Sequence, residues 1–148
     1  MKLAKALKVK NRLVGEIKVL QQHIVNFNSY DKENPPPYDT EQVLEDLRSA
    51  SVRLVVLKAK IAAANVPIVS AILEIAEIKG QITMLQGLDT KEGVTNSTIG
   101  FDDKVVRTTY VARIGQVKAD NLVKKLTERL DELQEQIDEH NATTIIKD

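Results

Sequence analysis

The chain has 148 residues, of which 43% are hydrophobic and only 3% aromatic. This length fits one domain with a modest core, and without Trp that core must be built from Leu, Ile, Val and Ala, as in helix-on-helix packing. Lys plus Arg number 21, as do Asp plus Glu, so no overall field attracts a nucleic-acid polymer or an anionic membrane. The absence of cysteine excludes disulfides, thiolate catalysis and Cys-ligated zinc.

The first predicted element is a helix over residues 2–28. Its apolar residues recur alternately three and four apart, which is typical of a heptad seam; they are Leu3, Ala6, Leu13, Ile17, Leu20, Ile24 and Phe27. Lysines interrupt the apolar run at the N-terminus, so this segment indicates a helix rather than a secretory signal. Three prolines at 35–37 then end helical structure, because proline has no N–H to donate. Tyr30 and Tyr38 flank these prolines, an arrangement that suits a docking motif. We prefer to interpret the stretch as a stiff connector.

A second helix is predicted over residues 40–64, with Thr40 as its N-cap. Its seam is uninterrupted and comprises Val43, Leu47, Ala50, Leu54, Leu57, Ile61 and Ala64. Val66 precedes Pro67 and is therefore pushed away from helical geometry, which predicts a break. A third helix is expected over residues 68–88, with its apolar face on Ile68, Ile72, Ile75, Ile78, Ile82 and Leu85.

Residues 89–112 lose the helical period and are rich in Thr, Val, Gly and Asn. They predict a loop carrying a β-hairpin, with arms at about 94–101 and 104–112 and a turn at Asp102 and Asp103. The heptad pattern returns over residues 115–141, which predicts a fourth helix whose seam is Val123, Leu126, Leu130, Leu133 and Ile137.

These elements predict a mainly α, single-domain fold over residues 1–148. It is an antiparallel bundle of about four long helices with coiled-coil-like packing and a small β-hairpin before the last helix. Helices of about 25 residues reach nearly 40 Å, which is longer than a compact monomer of this size needs. We therefore expect a homo-oligomer. No apolar run approaches the roughly 18 to 20 residues of a membrane-spanning helix, and we expect neither a membrane nor a nucleic-acid polymer as partner.

Four segments resemble the septicolysin-like family of small helical bacterial and phage proteins. They are MKLAKAL, KIAAANVPIV, EIAEIKGQITMLQGL and QEQIDEHNATTII. The segment KEGVTNSTIGFDDK is longer than the usual connection in that family. The resemblance implies a helical fold. It implies no activity, because the family has none assigned. Because the sequence shows neither a secretory signal nor a membrane-spanning run, we expect a location in the cytoplasm, in a bacterial or phage-infected cell.

No residue pattern indicates catalysis. His23 and His140 lie on different predicted helices, and neither has a second ligand at the spacing of a helical metal site. Glu pairs such as Glu74 with Glu77 lack the Glu-x-x-His pattern of bundle metal sites. Nucleophile-elbow, P-loop and dinucleotide motifs do not occur. We therefore expect a non-enzyme that uses no cofactor and no metal.

The non-helical insert and its exit hold the candidate ligand site, which comprises Asn96, Arg107, Thr108, Thr109, Tyr110 and Arg113. Guanidinium forks and hydroxyls suit phosphate, and a Tyr ring offers a stacking plane for a base. Strand alternation places Arg107, Thr109 and Arg113 on one side and Thr108 and Tyr110 on the other. The alternative is that Thr and Tyr are present as strand formers and that the arginines only solubilise the protein.

The function expected from these observations is non-enzymatic binding by a homo-oligomer. A small anionic, nucleotide-type ligand would occupy pockets near subunit interfaces, and a phage-encoded protein of this kind would act in counter-defence by sequestering a host signalling nucleotide. Two alternatives remain open: a structural or scaffolding helical oligomer without a small ligand, and a membrane-active, cytolysin-like protein.

Overall fold

The computed structural model describes residues 1–147, and its helices form three continuous segments. The first is α1 (Leu3–Phe27), and the last is α4 (Gln116–Thr143). The middle segment, Thr40–Gln86, joins α2 (Thr40–Asn65) and α3 (Val69–Gln86) through a 3-10 turn at Val66–Ile68. Strands β1 (Gly93–Ile99) and β2 (Lys104–Tyr110) precede α4. The predicted mainly α fold with a hairpin before the last helix is confirmed.

The predicted break at Val66 and Pro67 is wrong, and with it the prediction of about four separate helices. Val66 keeps helical dihedral angles, φ −48° and ψ −43°, and donates its N–H to the carbonyl of Ala63. Val69 donates in turn to the carbonyl of Val66. The tighter hydrogen bonding of a 3-10 turn thus satisfies the donors on either side of the proline. The loss of one N–H donor at Pro67 therefore does not end the helical segment.

Smaller corrections concern the ends of elements. The N-cap of α2 is Asp39, whose carboxylate accepts from the N–H of Glu41 at 3.0 Å, so Thr40 is already helical. The hairpin arms are shorter than predicted, since β1 ends at Ile99 and β2 at Tyr110. Residues 100–103 form the turn, with positive φ at Gly100 (82°) and Asp103 (46°).

The chain divides into two compact units. The terminal unit comprises Met1–Val69 together with residues 137–147, and the central unit comprises Ser70–Gln136. Each is described by itself.

The terminal unit is built on α1 and α2, which run antiparallel. Glu16 accepts a hydrogen bond from Arg53 at 3.2 Å across the two helices. Where the start of α1 meets the end of α2, the core consists of Leu3, Ala6, Leu13, Leu57, Ile61 and Ile146. The core residues of α1 and α2 belong to the predicted seams, because residues three and four apart share one helix face, whereas Ile146 comes from the chain end after α4.

The chain end after α4 completes the terminal unit. Leu3 donates its N–H to the carbonyl of Thr144, and Ile146 donates to the carbonyl of Met1, both at 2.8 Å. Lys2 and Ile145 form an antiparallel β-bridge. The Nε2–H of His140 donates to the carbonyl of Ala64, with the two atoms 3.0 Å apart. The final turn of α4 is thereby held against the end of α2.

The central unit contains α3, the hairpin and most of α4. Its buried side chains are Ala71, Ile75, Ile78, Leu85, Ala119 and Leu133. Arg129 donates two hydrogen bonds to the Glu74 carboxylate, at 2.8 Å and 3.1 Å, and so links α4 to α3. These bonds lower the pKa of Glu74 from its ordinary value of 4.5.

This ion pair yields a pH prediction. Because folding lowers the Glu74 pKa, its contribution to stability is complete above pH 4.5 and disappears as the pH falls through the folded pKa. We expect Glu74→Gln to lower the melting temperature slightly at neutral pH, since the pair is exposed, and not at all in strong acid. Glu77→Gln, at an exposed carboxylate three residues along α3, serves as the control. An equal loss for Glu74→Gln at both pH values would contradict the assignment.

Two surface properties bear on function. The accessible surface is 11305 Å², whereas two separate compact units that share this mass would expose about 9,100 Å² in total. The helical segment Thr40–Gln86 also contains an 18-residue window of mean hydropathy 1.7, of which 22% is buried. By length and composition this segment is able to cross a membrane, so a cytoplasmic location stays a prediction.

Candidate functional site

The hairpin carries five of the six predicted ligand residues and presents them on two faces. Asn96 pairs with Arg107 across the strands, and Thr109 shares their face, because side chains alternate along a strand. Thr108 and Tyr110 lie on the opposite face. This distribution of the strand residues agrees with the predicted alternation. Arg113 follows the end of β2 and lies outside the sheet.

Both faces of the hairpin are largely open to solvent. Only Thr95 and its cross-strand partner Thr108 are half-buried. Phe101 at the turn is fully exposed. The ammonium of Lys91 lies 4.1 Å from the centre of the Tyr110 ring, which makes a cation–π contact on one side of that ring. The predicted residues therefore share a hairpin but do not converge on one cavity.

A cavity of about 650 Å³ lies at the base of the hairpin, within the central unit. Its walls are two residues of the segment before the hairpin, the glycine before α4 and the first three turns of α4: Thr90, Glu92, Gly115, Gln116, Val117, Lys118, Asn121, Leu122 and Lys125. None of the six predicted residues is among them, and Arg113 stands two positions before Gly115 in the sequence. We call this space the hairpin-base cavity.

The sequence of α4 explains how this wall forms. Lys118, Asn121, Leu122 and Lys125 are spaced three and four apart and so lie on one helix face. Gly115 precedes the helix and accepts the hydrogen bond of Ala119 through its carbonyl. A Cβ at Gly115 would lie 3.5 Å from the Glu92 carboxylate, which is an ordinary van der Waals contact, so the space beside Glu92 does not require a glycine here.

The charge on the hairpin-base cavity is positive by one, because Lys118 and Lys125 outweigh Glu92. The first turn of α4 contains no acidic residue, so the positive end of the helix dipole adds to the lysines. Two polar groups are already ordered: the Thr90 hydroxyl donates to the Gln116 side-chain oxygen at 2.7 Å, and the Gln116 amide donates to Asp120 at 2.8 Å. This arrangement suits a ligand that combines negative charge with hydrogen-bonding groups.

Comparison with known proteins gives no assignment. No protein-family model, curated protein or solved structure matches the chain. The septicolysin-like resemblance therefore stays a prediction, and function has to be argued from the geometry.

The histidines occupy structural positions. His23 stacks on Tyr38, with ring centres 4.6 Å apart, and so attaches the proline-containing connector to α1. His140 bonds to Ala64, as described above, and its ring also lies within 3.2 Å of the Thr144 hydroxyl. Within residues 1–147 no group of three His, Asp or Glu side chains is placed to hold a metal ion.

Sequence reasoning selected the hairpin of the central unit and did not reveal the cavity at its base. It selected residue types on the strands, whereas the cavity uses residues on both sides of the hairpin. The available signal was the basic and polar helix face at Lys118, Asn121 and Lys125, directly after the insert. That face resembles an ordinary solvated helix surface until the hairpin is placed beside it.

Proposed function

We propose that the protein binds a small anionic compound of the nucleotide type, without catalysis, in the hairpin-base cavity. The observation that supports this most is the presence of two lysines in a cavity of about 650 Å³. Pockets for small ligands and cofactors typically measure about 300 to 1,000 Å³. The cavity thus has room for a nucleoside carrying phosphate groups.

Each wall of the cavity suits a different part of such a ligand. The ammonium groups of Lys118 and Lys125 attract phosphate oxygens. Val117 and Leu122 offer apolar surface to a base or sugar. Asn121 has both a donor and an acceptor, and the Glu92 carboxylate accepts from a hydroxyl or amino group. A free inorganic anion would gain only the first of these contacts.

The hairpin face at Arg107, together with Tyr110 and Arg113, is the second location for the same ligand class. It offers guanidinium groups and one ring face on an open strand surface. Binding at either location would agree with the proposal that a nucleotide-type anion binds to the central unit. Two double variants, one for each location, distinguish them.

The ligand prediction is tested by thermal shift against mono-, di- and cyclic nucleotides. A ligand at a hundred times its dissociation constant adds about 2.7 kcal/mol to stability, which corresponds to a rise of about 5 to 10 °C in melting temperature for a chain of this size. We expect Lys118→Ala with Lys125→Ala to weaken binding at least tenfold, because two charge-assisted contacts are lost.

Arg107→Ala with Arg113→Ala is the matched pair, since it removes the same charge from the same unit. If it weakens binding and the lysine pair does not, the ligand lies on the hairpin face. Tyr110→Ala should then also weaken binding, whereas Tyr110→Phe should not. No stabilisation by any nucleotide would contradict the proposed function.

We further propose that the long helices complete a coiled-coil-like bundle between identical chains. The observation that favours this is the surface of 11305 Å², which exceeds the total for two separate compact units by about 2,000 Å². A structural or scaffolding oligomer without a ligand shares this observation. The nucleotide screen separates the two functions.

Membrane activity is the remaining candidate, and the apolar window within Thr40–Gln86 favours it. Leakage of dye from liposomes tests it directly. Dye release, together with no stabilisation by any nucleotide, would support a membrane-active protein over a ligand-binding one.

A further inference from the structure

Helix α2 has a second apolar face, opposite the one that packs in the core. It consists of Val52, Val55, Val56, Ala59, Ala62, Ala63, Val66 and Val69, where Val66 and Val69 follow the end of α2 in the same helical segment. All eight are exposed, the valines by 50% to 67%. We call this surface the outer valine–alanine face.

The outer valine–alanine face follows a heptad. Val52, Ala59 and Val66 are seven residues apart, and Val55, Ala62 and Val69 repeat beside them with the same period. Val56 and Ala63 form a third row, and charged residues are absent from all three rows between positions 52 and 69. In the same helix the buried seam through Leu57 and Ile61 lies about half a turn away. Thus α2 carries two seams, of which only one is covered.

The residue types on this face suit a helix as its partner. Alanines allow two backbones to approach closely, and β-branched valines have one preferred rotamer in a helix, so their packing loses little side-chain entropy. An alternation of three and four keeps such a seam in contact with a neighbouring helix over several turns. From Val52 to Val69 the seam is about 25 Å long.

We propose that the outer valine–alanine face pairs with the same face on a second copy of this chain. The proposal is independent of the nucleotide ligand. The chain exposes about 2,000 Å² more than two compact units that share its mass, and each partner in a standard interface buries roughly 800 Å², so the exposed surface leaves room for such an interface. A face that is apolar along a heptad and free of charge is self-complementary, as a two-fold dimer requires.

A neighbouring cavity supplies further room for a partner side chain. It measures about 280 Å³ and is lined by Met1, Val52, Arg53, Val56, Leu57, Lys60, Ile146 and Lys147. Val52 and Val56 belong to the outer valine–alanine face, so a second helix on that face would pass over the cavity. Knob-into-hole packing requires such recesses beside the seam.

A lipid surface fits this face less well. Bilayer insertion rewards apolar bulk and aromatic anchors, whereas here the residues are small and strictly periodic. Arg53 and Lys60 line one edge of the face, Lys58 lies at the other, and the helix side behind them is occupied by the chain's own core. The helix is therefore not free on all sides to be surrounded by lipid.

The decisive experiment introduces charge on this face and measures mass. By multi-angle light scattering at micromolar concentration, we expect the parent to have at least twice the chain mass of 16.5 kDa. The double variant Val55→Glu with Ala59→Glu should reduce it to a single chain while keeping the helical circular dichroism, because Glu is a good helix former. Gln22→Glu, which adds negative charge at an exposed position on α1, should leave the mass unchanged.

Cysteine crosslinking supports the same test if the charged variant fails to fold. The chain contains no cysteine, so single substitutions at Val52, Ala59 or Val66 report unambiguously. At least one should give a disulfide-linked dimer on oxidation, since paired Cβ atoms in such a seam come within bonding range, whereas cysteine at Gln22 should not.

Three outcomes would overturn the proposal. The first is a parent mass of 16.5 kDa, and the second is a folded charged variant that retains the parent's mass. The third is vesicle binding by a monomeric parent that the charged variant loses, which would make the face a membrane surface. A negative nucleotide screen with a dimeric parent removes only the proposed ligand function. A nucleotide-stabilised monomer removes the pairing and the proposed helical oligomer, and leaves the ligand function.

Discussion

Replacing Ile146 with Ala is expected to lower the free energy of unfolding by about 2 to 5 kcal/mol. Ile146 is 5% exposed and belongs to the core cluster with Leu3, Leu57 and Ile61. Its N–H donates to Met1, and its carbonyl accepts from the Met1 ammonium, both at 2.8 Å. Losing three carbon atoms there leaves a cavity that the fixed backbone cannot close.

The neighbouring Ile145 provides a matched control. It has the same side chain and forms the β-bridge with Lys2 directly beside Ile146, but it is 69% exposed, so Ile145→Ala should change stability by no more than about 0.5 kcal/mol. Urea denaturation of both variants and the parent gives the comparison. Equal losses would show that the chain end is stabilised by its backbone bridge and not by the buried side chain.

The helices could be predicted because their signal is local and repeated. Each seam contains at least five apolar residues in alternation, and residues such as Leu3, Leu57 and Leu133 are buried where the alternation places them. The hairpin was also predictable, since the loss of helical period and the turn residues coincide. Neither inference depended on a long-range contact.

The predictions that failed depend on competing interactions and long-range contacts, which a local sequence pattern does not show. At Pro67, the preference of Val66 for extended backbone competes with hydrogen bonds that a 3-10 turn preserves, and the helix continues. The bridge between Lys2 and Ile145 joins residues 143 positions apart, and two residues are too few to show a strand period. Such contacts emerge only once the helices are placed.

The outer valine–alanine face was missed for a different reason. A heptad through Val52, Ala59 and Val66 is present in the sequence. The same helix has a second seam of larger apolar residues through Leu54, Leu57 and Ile61, and one seam is enough to explain an amphipathic helix. Two seams on one helix become visible when the burial of each is known. The hairpin-base cavity is similar, because Lys118 and Lys125 acquire meaning only beside Thr90 and Glu92.

Leu133 is the corresponding test of the central unit. It is 1% exposed, whereas Leu130, one turn earlier on the same predicted seam, is half-buried. Both substitutions to Ala keep helix propensity high, so the difference between them isolates packing. We expect Leu133→Ala to destabilise by about 3 to 5 kcal/mol and Leu130→Ala by clearly less.

Amide hydrogen exchange shows which helices lose stability in each variant. If the two units open separately, Leu133→Ala should speed exchange in α3 and the first turns of α4, while Ile146→Ala should speed it in α1 and α2. This outcome follows from the division at residues 69 and 136, because a cavity weakens first the elements that line it. Uniform acceleration along the whole chain by either variant would instead show one cooperative unit. The predicted single domain would then describe the energetics better than the division into two units does.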